Sequence, residues 1–182
     1  WDPHLHAPGT LLSDQFKGNW EAYLSRIETS TPRIVALGVT DYFCIRTYRE
    51  VRTRKAAGRL PDVDFIFPNV EMRIETKTAD DLAINIHLLF SSADPDHAAQ
   101  IERILGQLQF EFDETQYRCE PVDLIALGKR FDPSAVDDST ALKIGANQFK
   151  TTLKDLKTLF RNERWMRDNA LAAIASKTGD GT

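Results

Sequence analysis

The chain has 182 residues, a net charge of −4, 42% hydrophobic residues and 27% charged residues. These values are typical of one ordinary globular domain and exclude a strongly basic chain attracted to nucleic acid by overall charge. No apolar run approaches the roughly 20 residues that a membrane span needs, so no membrane partner is expected. The two cysteines are isolated, which favours structural thiols in a reducing, cytoplasmic compartment. The start at Trp1 and the loop-like end at residues 179–182 predict an N-terminal fragment of a longer protein.

The first predicted element is a strand within residues 1–8, W-D-P-H-L-H-A-P. Alternate side chains of a strand point the same way, so His4 and His6 should converge while Leu5 faces a core. Two imidazoles at this spacing are half of a metal site. The alternative is an exposed terminus that carries histidines by chance, because a lone H-x-H is common.

A helix is predicted over residues 20–28, with Asn19 as its N-cap. Residues 33–40, R-I-V-A-L-G-V-T, form a nearly continuous apolar run, which is typical of a strand buried on both faces. The run ends at Asp41, and a second helix is predicted over residues 45–57.

The second half of the chain continues the alternation. Residues 64–75 and 83–90 are predicted strands, and the polar segment between them favours a hairpin. Further helices are predicted at 94–108, 122–130 and 149–167, followed by a small-residue strand at 170–175. This order predicts an α/β fold with a mostly parallel sheet or barrel, whose sites lie at the carboxyl ends of the strands. The sequence contains no Walker phosphate loop and no G-x-G-x-x-G motif.

Polar side chains interrupt or end several of these apolar runs, at Asp2, His4, His6, Asp41, Glu71 and His87. A buried carboxylate costs several kcal/mol unless it is paired or bound to a metal. Singly, Asp41 is also explained as a helix N-cap, Glu71 as half of a salt bridge and His87 as a core histidine bonded to a backbone carbonyl. Together they predict a metal centre.

Mixed imidazole and carboxylate ligands suit zinc, manganese or iron, and one to three ions are expected. Such a centre activates water and clamps the oxygens of a phosphate, which is the chemistry of phosphoester hydrolysis. The predicted metal ligands are His4, His6, Asp41, Glu71 and His87. Asp41 and Glu71 are the predicted catalytic residues of a hydrolase acting on phosphoester bonds.

Four segments resemble the PHP family, the polymerase and histidinol phosphatase domain: W-D-P-H-L-H (1–6), V-A-L-G-V-T-D-Y (35–42), F-P-N-V-E-M (67–72) and N-I-H-L-L-F (85–90). The resemblance implies a distorted seven-stranded, TIM-like β/α barrel, partly covered by this chain, with metals at the strand carboxyl ends. His4 and His6 match the family motif D-x-H-x-H. Asp41 matches T-D-H, Glu71 matches the glutamate of a G-x-E-like motif, and His87 matches H-L-L.

The chain also departs from the family pattern. Tyr42 stands where T-D-H has its histidine, and tyrosine ligates metal poorly at neutral pH because its pKa is about 10. Ser176 stands where a histidine ligand is expected, and the final D-x-H motif is not found. A one- or two-metal site, or a degenerate one, is therefore compatible with the sequence.

Trp1-Asp2 and the segments 143–150 and 176–182 resemble a PHP-like domain that precedes an SMC-like ATPase in bacterial anti-phage defence proteins. This implies a nuclease effector acting on nucleic acid, or a phosphatase of small molecules. It also implies an ATPase domain C-terminal in the same polypeptide and a homo-oligomer. The alternative is a catalytically degenerate module that mediates assembly or senses nucleotide or nucleic acid.

Basic residues crowd two predicted helices: Arg46, Arg49, Arg52, Arg54, Lys55 and Arg59 on one, and Lys150, Lys154, Lys157, Arg161, Arg164 and Arg167 on the other. Such charges are usually a solvated helix face. They also fit a rim that follows a phosphate backbone, with Phe43, Tyr48 and Trp165 stacking on bases. Arg49 or Lys177 is a candidate to hold a substrate phosphate.

Overall fold

The computed structural model describes residues 1–81 and 83–176, and only the backbone of residues 174–176. The strands are β1 (Asp2–His6), β2 (Ala36–Tyr42), β3 (Phe65–Lys77), β4 (Ala83–Phe90), β5 (Gln109–Phe112), β6 (Thr115–Arg118) and β7 (Ala170–Ser176). The helices are α1 (Trp20–Glu28), α2 (Arg46–Ala56), α3 (His97–Leu105), α4 (Pro121–Phe131), α5 (Asp138–Gln148), α6 (Leu153–Asn162) and α7 (Arg164–Asn169). The fold is therefore mixed α/β. None of the helices in the described ranges is long and apolar enough to cross a membrane.

Five strands form one sheet in the order β1-β2-β3-β4-β7, and β5 and β6 form a separate hairpin. β1 and β3 run parallel to β2, whereas β4 is antiparallel to both β3 and β7. The sheet is therefore mixed, where the sequence predicted a mostly parallel one. β3 and β4 form the predicted hairpin. The segment that links them is too short for the crossover that a parallel pair would need. β1 and β7 are the edges, so the sheet is open within the described residues.

The first helix follows the sequence prediction closely. α1 spans Trp20–Glu28, and the Asn19 side chain accepts a hydrogen bond from the Ala22 N–H at 3.0 Å, as an N-cap does. Its buried face carries Tyr23, Leu24 and Ile27. These side chains join the core that covers one face of the sheet.

The predicted helix over residues 149–167 is confirmed over most of its length, as α6 and α7, but residues 149–152 and Glu163 are not helical. Phe149 is the buried C-cap residue of α5 and not a helix start. Thr152 begins α6 in a capping box, in which its hydroxyl accepts from the Asp155 N–H at 3.0 Å. Glu163 has an extended backbone and separates α6 from α7.

α5 and the β5–β6 hairpin were not predicted from the sequence. α3 spans His97–Leu105, which is shorter than the predicted helix over residues 94–108. α5 lacks a continuous apolar stripe because it packs on α4 through small residues. A Cβ at Gly145 would overlap the backbone of Leu124, and one at Gly128 would overlap the backbone of Ala141. Close backbone contact, rather than large side chains, therefore joins the two helices.

β1 approaches the sheet unusually closely at Gly38. A Cβ at Gly38 would overlap the Pro3 carbonyl and lie 2.9 Å from the Phe67 ring. The register of β1 on β2 shifts between Asp2 and Leu5, so Pro3 lies in an irregular part of the strand. Because Gly38 has no side chain, the Pro3 carbonyl of β1 can lie directly over β2, one residue before His4.

Replacing Gly38 with alanine should destabilise the fold by about 1–3 kcal/mol, as overpacking does, because the Pro3 backbone must move. Urea unfolding followed by circular dichroism measures this cost. Gly106→Ala is the control, since a Cβ there meets only the end of the flexible Glu120 side chain. Equal stability of the Gly38→Ala and Gly106→Ala chains would contradict the close approach.

The break between α6 and α7 is held by an ion pair with α3. The Arg103 guanidinium donates to both Glu163 oxygens, at 3.0 and 2.7 Å, and the Gln107 amide donates at 2.6 Å. These hydrogen bonds, with Arg103 the largest contributor, lower the pKa of Glu163 to about 2.

A depressed carboxyl pKa adds stability above the unfolded-state pKa of about 4.3, and this stability is lost as the pH falls towards 2. Between pH 5 and pH 2, the native chain should lose more of its free energy of unfolding than the Glu163→Gln chain. We expect the difference between the two losses to be about 1 kcal/mol. Urea titrations across this range measure the difference. The exposed Glu111→Gln chain should follow the native curve, and a Glu163→Gln curve parallel to the native one would disprove the assignment.

Candidate metal centre

One face of the sheet carries polar side chains from neighbouring strands. His6 is in register with Thr40, Tyr42 with Glu71, and Glu71 with His87. Residues in register share a face of the sheet, so these side chains point to the same side. Glu71 and His87 lie within their strands and not at strand ends, because β3 is long and β4 runs antiparallel to it.

Three of these side chains, His6, Glu71 and His87, meet together with His4 of β1. These four residues are here called the histidine–glutamate group. Nε2 of His4 lies 3.0 Å from Nε2 of His6, and Glu71 Oε2 lies 3.4 and 3.3 Å from these two nitrogens. The rings of His4 and His87 are 4.5 Å apart. Ligand atoms of His4, Glu71 and His87 all lie within 4.8 Å of one another. The predicted convergence of His4 and His6 is thus present.

The contact between His4 and His87 spans the two strands that lie between β1 and β4. β1 and β4 are separated by two strands, a distance of about 14 Å in a flat sheet. Imidazole rings from these two strands nevertheless touch at 4.5 Å between centroids. The irregular backbone at Pro3, whose carbonyl lies over Gly38 and accepts from Asn69 of β3, therefore brings the side chain of His4 towards β4.

The donor atoms fit a divalent metal ion. Zinc–nitrogen and zinc–oxygen bonds of about 2.0–2.2 Å place neighbouring ligand atoms about 3.0–3.5 Å apart, which is the spacing of the two Nε2 atoms and Glu71 Oε2. Glu71 Oε2 is buried without a hydrogen-bond partner, a costly state for a carboxylate oxygen. The His4 side chain is 46% exposed, so the group opens to solvent on that side. The group could therefore hold a metal ion.

The protonation states also suit metal binding. Burial alone would raise the pKa of Glu71, but the close imidazoles of His4 and His6 and the nearby charge of His87 hold this pKa well below its usual range. Burial lowers the pKa of His87, the charges of His4 and His6 lower it further, and Glu71 opposes both effects. An ionised glutamate and a neutral histidine are the forms that bind metal.

Asn69 fixes the orientation of His87. The Asn69 amide nitrogen donates to the Pro3 carbonyl at 2.9 Å and to the Thr40 hydroxyl at 3.0 Å. A carbonyl only accepts, so the amide nitrogen must face Pro3 and the amide oxygen must face His87 Nδ1, at 3.1 Å. That oxygen also only accepts, so His87 carries its proton on Nδ1 and keeps Nε2 as a lone-pair donor.

Asn85 completes this support. Its amide donates to Glu71 Oε1 at 2.5 Å and leaves Oε2 for the histidines. Neither asparagine was predicted from the sequence to belong to the site. The signal available was the two-residue period, because Asn69 precedes Glu71 by two residues on β3 and Asn85 precedes His87 by two on β4. His87 therefore bonds a side chain, where the core-histidine alternative expected a backbone carbonyl.

The structure does not bring Asp41 to the group. Asp41 is in register with Val70, on the face of the sheet opposite Tyr42. Its Oδ1 accepts from the backbone N–H of Leu11 at 3.2 Å and of Tyr42 at 2.8 Å, while its buried Oδ2 has no partner. Burial raises the pKa of this carboxyl, against the lowering effect of these hydrogen bonds. The N-cap alternative is also wrong, because Ile45 is the cap residue of α2.

Tyr42 takes the place beside the histidines instead. Its ring stacks on His6, with centroids 5.4 Å apart and planes 9° from parallel. Its hydroxyl lies 3.5 Å from Ser13 Oγ. Burial raises the pKa of Tyr42 to about 12, so the phenol stays protonated at neutral pH and acts as a hydrogen-bond donor.

The two basic stretches differ. On and near α2 the guanidinium groups are largely neutralised: Arg49 pairs with Glu102, Arg54 with Glu50, and Arg59 with Glu21 and Glu28. Arg49 is therefore engaged by a carboxylate and not free to hold a phosphate. The α6 stretch presents exposed side chains at Lys150, Lys154, Lys157 and Arg161.

Two predicted stacking residues are unavailable to bases, because Phe43 and Tyr48 are buried. The indole N–H of the half-buried Trp165 donates to Asp94 at 2.6 Å. Lys177 and the segment that follows it lie outside the described residues. For Ser176 the structure describes the backbone, which pairs with Ile84 at the end of β7.

Comparison with protein-family models, with curated proteins and with solved structures found no match to this chain. In the described residues, the site consists of three imidazoles and one carboxylate on one partly open face of the sheet.

Asn69→Ala should weaken zinc binding by about 10–100-fold, because His87 loses the partner that orients its ring. Competition with a chromophoric chelator measures the affinity. Thr40→Val is the matched control: it removes one bond of the same amide and leaves the bond to His87. Similar losses in both chains would show that the Asn69–His87 bond has no specific role.

Proposed function

We propose that the chain is a metal-dependent phosphoesterase of the PHP type. The observation that carries the proposal is the contact of Glu71 Oε2, a buried oxygen without a hydrogen bond, with two imidazole nitrogens at 3.3 and 3.4 Å. Buried anionic oxygens are normally bonded, and a cation bound there would satisfy this one. The ligand identities agree with the family motifs that the sequence resembles.

The proposal includes the fold of that family, a distorted β/α barrel of which the described sheet would be a part. Its support is the contact of His4, on the edge strand, with His87, across two intervening strands. A curved sheet with side chains gathered on the inner face is the arrangement of a barrel wall.

In this reading His4, His6, Glu71 and His87 hold one or two ions of manganese, zinc or iron. A bound divalent ion supplies Lewis acidity, which lowers the pKa of water and stabilises charge on a phosphoryl oxygen. Glu71 supplies the negative charge of the group, with Oε1 fixed by Asn85. The exposed side of His4 is where a phosphoester would enter.

Asp41 has a different role in this proposal from the one expected of a ligand. Its Oδ1 holds the backbone of Leu11, in the loop that follows β1. Asp41 thus fixes the exit of the strand that carries His4 and His6. Tyr42 supplies a neutral donor on the site face in place of a charged or metal-binding group.

The substrate is proposed to be nucleic acid, which would make the chain a nuclease effector within an ATPase-coupled anti-phage defence protein. The sequence resemblance of segments 143–150 and 176–182 supports the ATPase context. The exposed cations of the α6 stretch support a polyanionic substrate, since Lys and Arg neutralise backbone phosphates. A phosphorylated small molecule is the alternative substrate.

A second candidate is a PHP-like module without catalysis, which mediates assembly or senses nucleotide. Two observations favour it. Asp41 faces away from the histidine–glutamate group, and Tyr42 stacks on His6 where the family pattern has a histidine. The two candidates share the metal site and differ in turnover.

Replacing His4 and His6 with alanine should lower the zinc or manganese content from about one ion or more per chain to near zero and abolish hydrolysis of bis(p-nitrophenyl) phosphate. Elemental analysis of the purified chains and absorbance of released nitrophenol measure the two effects. Circular dichroism should show an intact fold, because His4 borders solvent and the pair contributes little to the core.

His97→Gln is the matched control. His97 is the fourth histidine of the chain, and it bonds Tyr48 and the Asp94 carbonyl outside the group. Full metal content in His4→Ala/His6→Ala would refute the site. Metal binding by the native chain without activity on this ester, or on single- or double-stranded DNA or RNA at stated salt, would select the non-catalytic module.

A further inference from the structure

Arg73 lies beside the histidine–glutamate group, although no sequence motif pointed to it. It follows Glu71 by two residues on β3, so both side chains are on the same face. Its register partner is Asn85, the residue whose amide bonds Glu71. Burial raises the pKa of Tyr42, and the nearby positive charge of Arg73 opposes that increase. We propose that Arg73 binds a phosphoryl oxygen of the substrate, next to the ion held by His4, Glu71 and His87.

The partners of Arg73 leave its charge unbalanced. Its Nη1 donates to the Asn147 amide oxygen at 2.7 Å, which orients the guanidinium without neutralising it. In the part of the chain that the structure describes, no carboxylate forms an ion pair with Arg73. Arg59 and Arg103, by contrast, each bind a glutamate through two nitrogens. An unpaired arginine beside a cation site calls for an anion.

The backbone at Arg73 is bonded to Thr151, in the segment that precedes α6. The Thr151 N–H donates to the Arg73 carbonyl at 3.4 Å, and the Glu75 N–H donates to the Thr151 carbonyl at 3.0 Å. These bonds join the segment before α6 to β3 by a short parallel bridge. Asn147, at the end of α5, then fixes the side chain. Arg73 is therefore oriented before a ligand arrives, which lowers the entropy cost of binding.

Charge balance identifies the ligand class. The histidine–glutamate group contains one carboxylate, because Asp41 lies on the opposite face of the sheet. A divalent ion with Glu71 leaves one positive charge, and Arg73 adds a second. Phosphate esters are the anions whose oxygens match the planar fork of arginine. Asn147 uses one of the five N–H donors of Arg73, so the others can reach a ligand.

This inference rests on the proposed function, and inorganic phosphate is its probe. Isothermal titration of phosphate into the manganese-loaded native chain should show binding, and the dissociation constant should rise at least tenfold in Arg73→Gln. Arg73→Lys, which keeps the charge but loses the fork, should lie between them. Manganese content should be the same in all these chains, because Arg73 donates no lone pair to a metal.

Arg26→Gln is the matched control, since Arg26 lies exposed in the last turn of α1. It should bind phosphate within twofold of the native chain. Phosphate binding by Arg73→Gln within twofold of native, or absence of phosphate binding by the manganese-loaded native chain, would overturn the assignment of Arg73.

Failure of the phosphoesterase proposal can be distinguished from failure of the Arg73 assignment. If the native chain takes up no manganese, zinc or iron, the phosphoesterase proposal fails and the titration is repeated on the metal-free chains. A tenfold weaker phosphate affinity in Arg73→Gln still supports the anion site there. Equal affinities, or no binding by the native chain, reject it.

Discussion

The amide of Asn69 is the constraint on which the site depends. Its nitrogen is held by the Pro3 carbonyl and its oxygen by the imidazole of His87. One planar group thus connects the edge strand β1 to β4, across the two strands between them. Because an amide cannot exchange its donor and acceptor ends without breaking both bonds, the position of Pro3 determines which nitrogen of His87 faces the group. His4 follows Pro3 directly, so the same bond also sets where the first ligand stands.

Gly38 makes that connection possible. The Pro3 carbonyl occupies the space that any side chain at position 38 would need. With a larger residue, β1 would lie farther from the sheet, and neither Asn69 nor His87 could reach its partner on that strand. A glycine in the middle of a buried strand normally weakens it, because the residue packs nothing and loses more entropy on folding. At this position the cost is offset by the close approach that assembles the ligands.

Sequence patterns predicted the elements that carry the ligands, because those elements are set by local signals. The apolar runs of β2 and β4, the turn between β3 and β4 and the Asn19 cap of α1 are each decided within a few residues. It was harder to predict from the sequence which face of the sheet a given side chain occupies. Asp41 and Tyr42 are neighbours, and only the register with Val70 and Glu71 shows which of them faces the histidines. That register depends on contacts between residues far apart in sequence. The same is true of α5, which packs on α4 through glycines, and of the break at Glu163.

The alternation at residues 41 and 42 also determines the chemistry open to the site. A strand presents either Asp41 or Tyr42 to the face that carries the histidines, and here it presents the tyrosine. The carboxylate is used instead to hold the Leu11 backbone behind β1. Among the residues that the structure describes, the histidine–glutamate group and its neighbours on this face supply the Glu71 carboxylate, three imidazoles, a protonated phenol and the Arg73 guanidinium, which no described carboxylate balances. With Asp41 turned to the opposite face, few negative charges on this side would balance several metal ions. The proposed single ion, with a phosphate held by Arg73, is the combination that suits this set of charges.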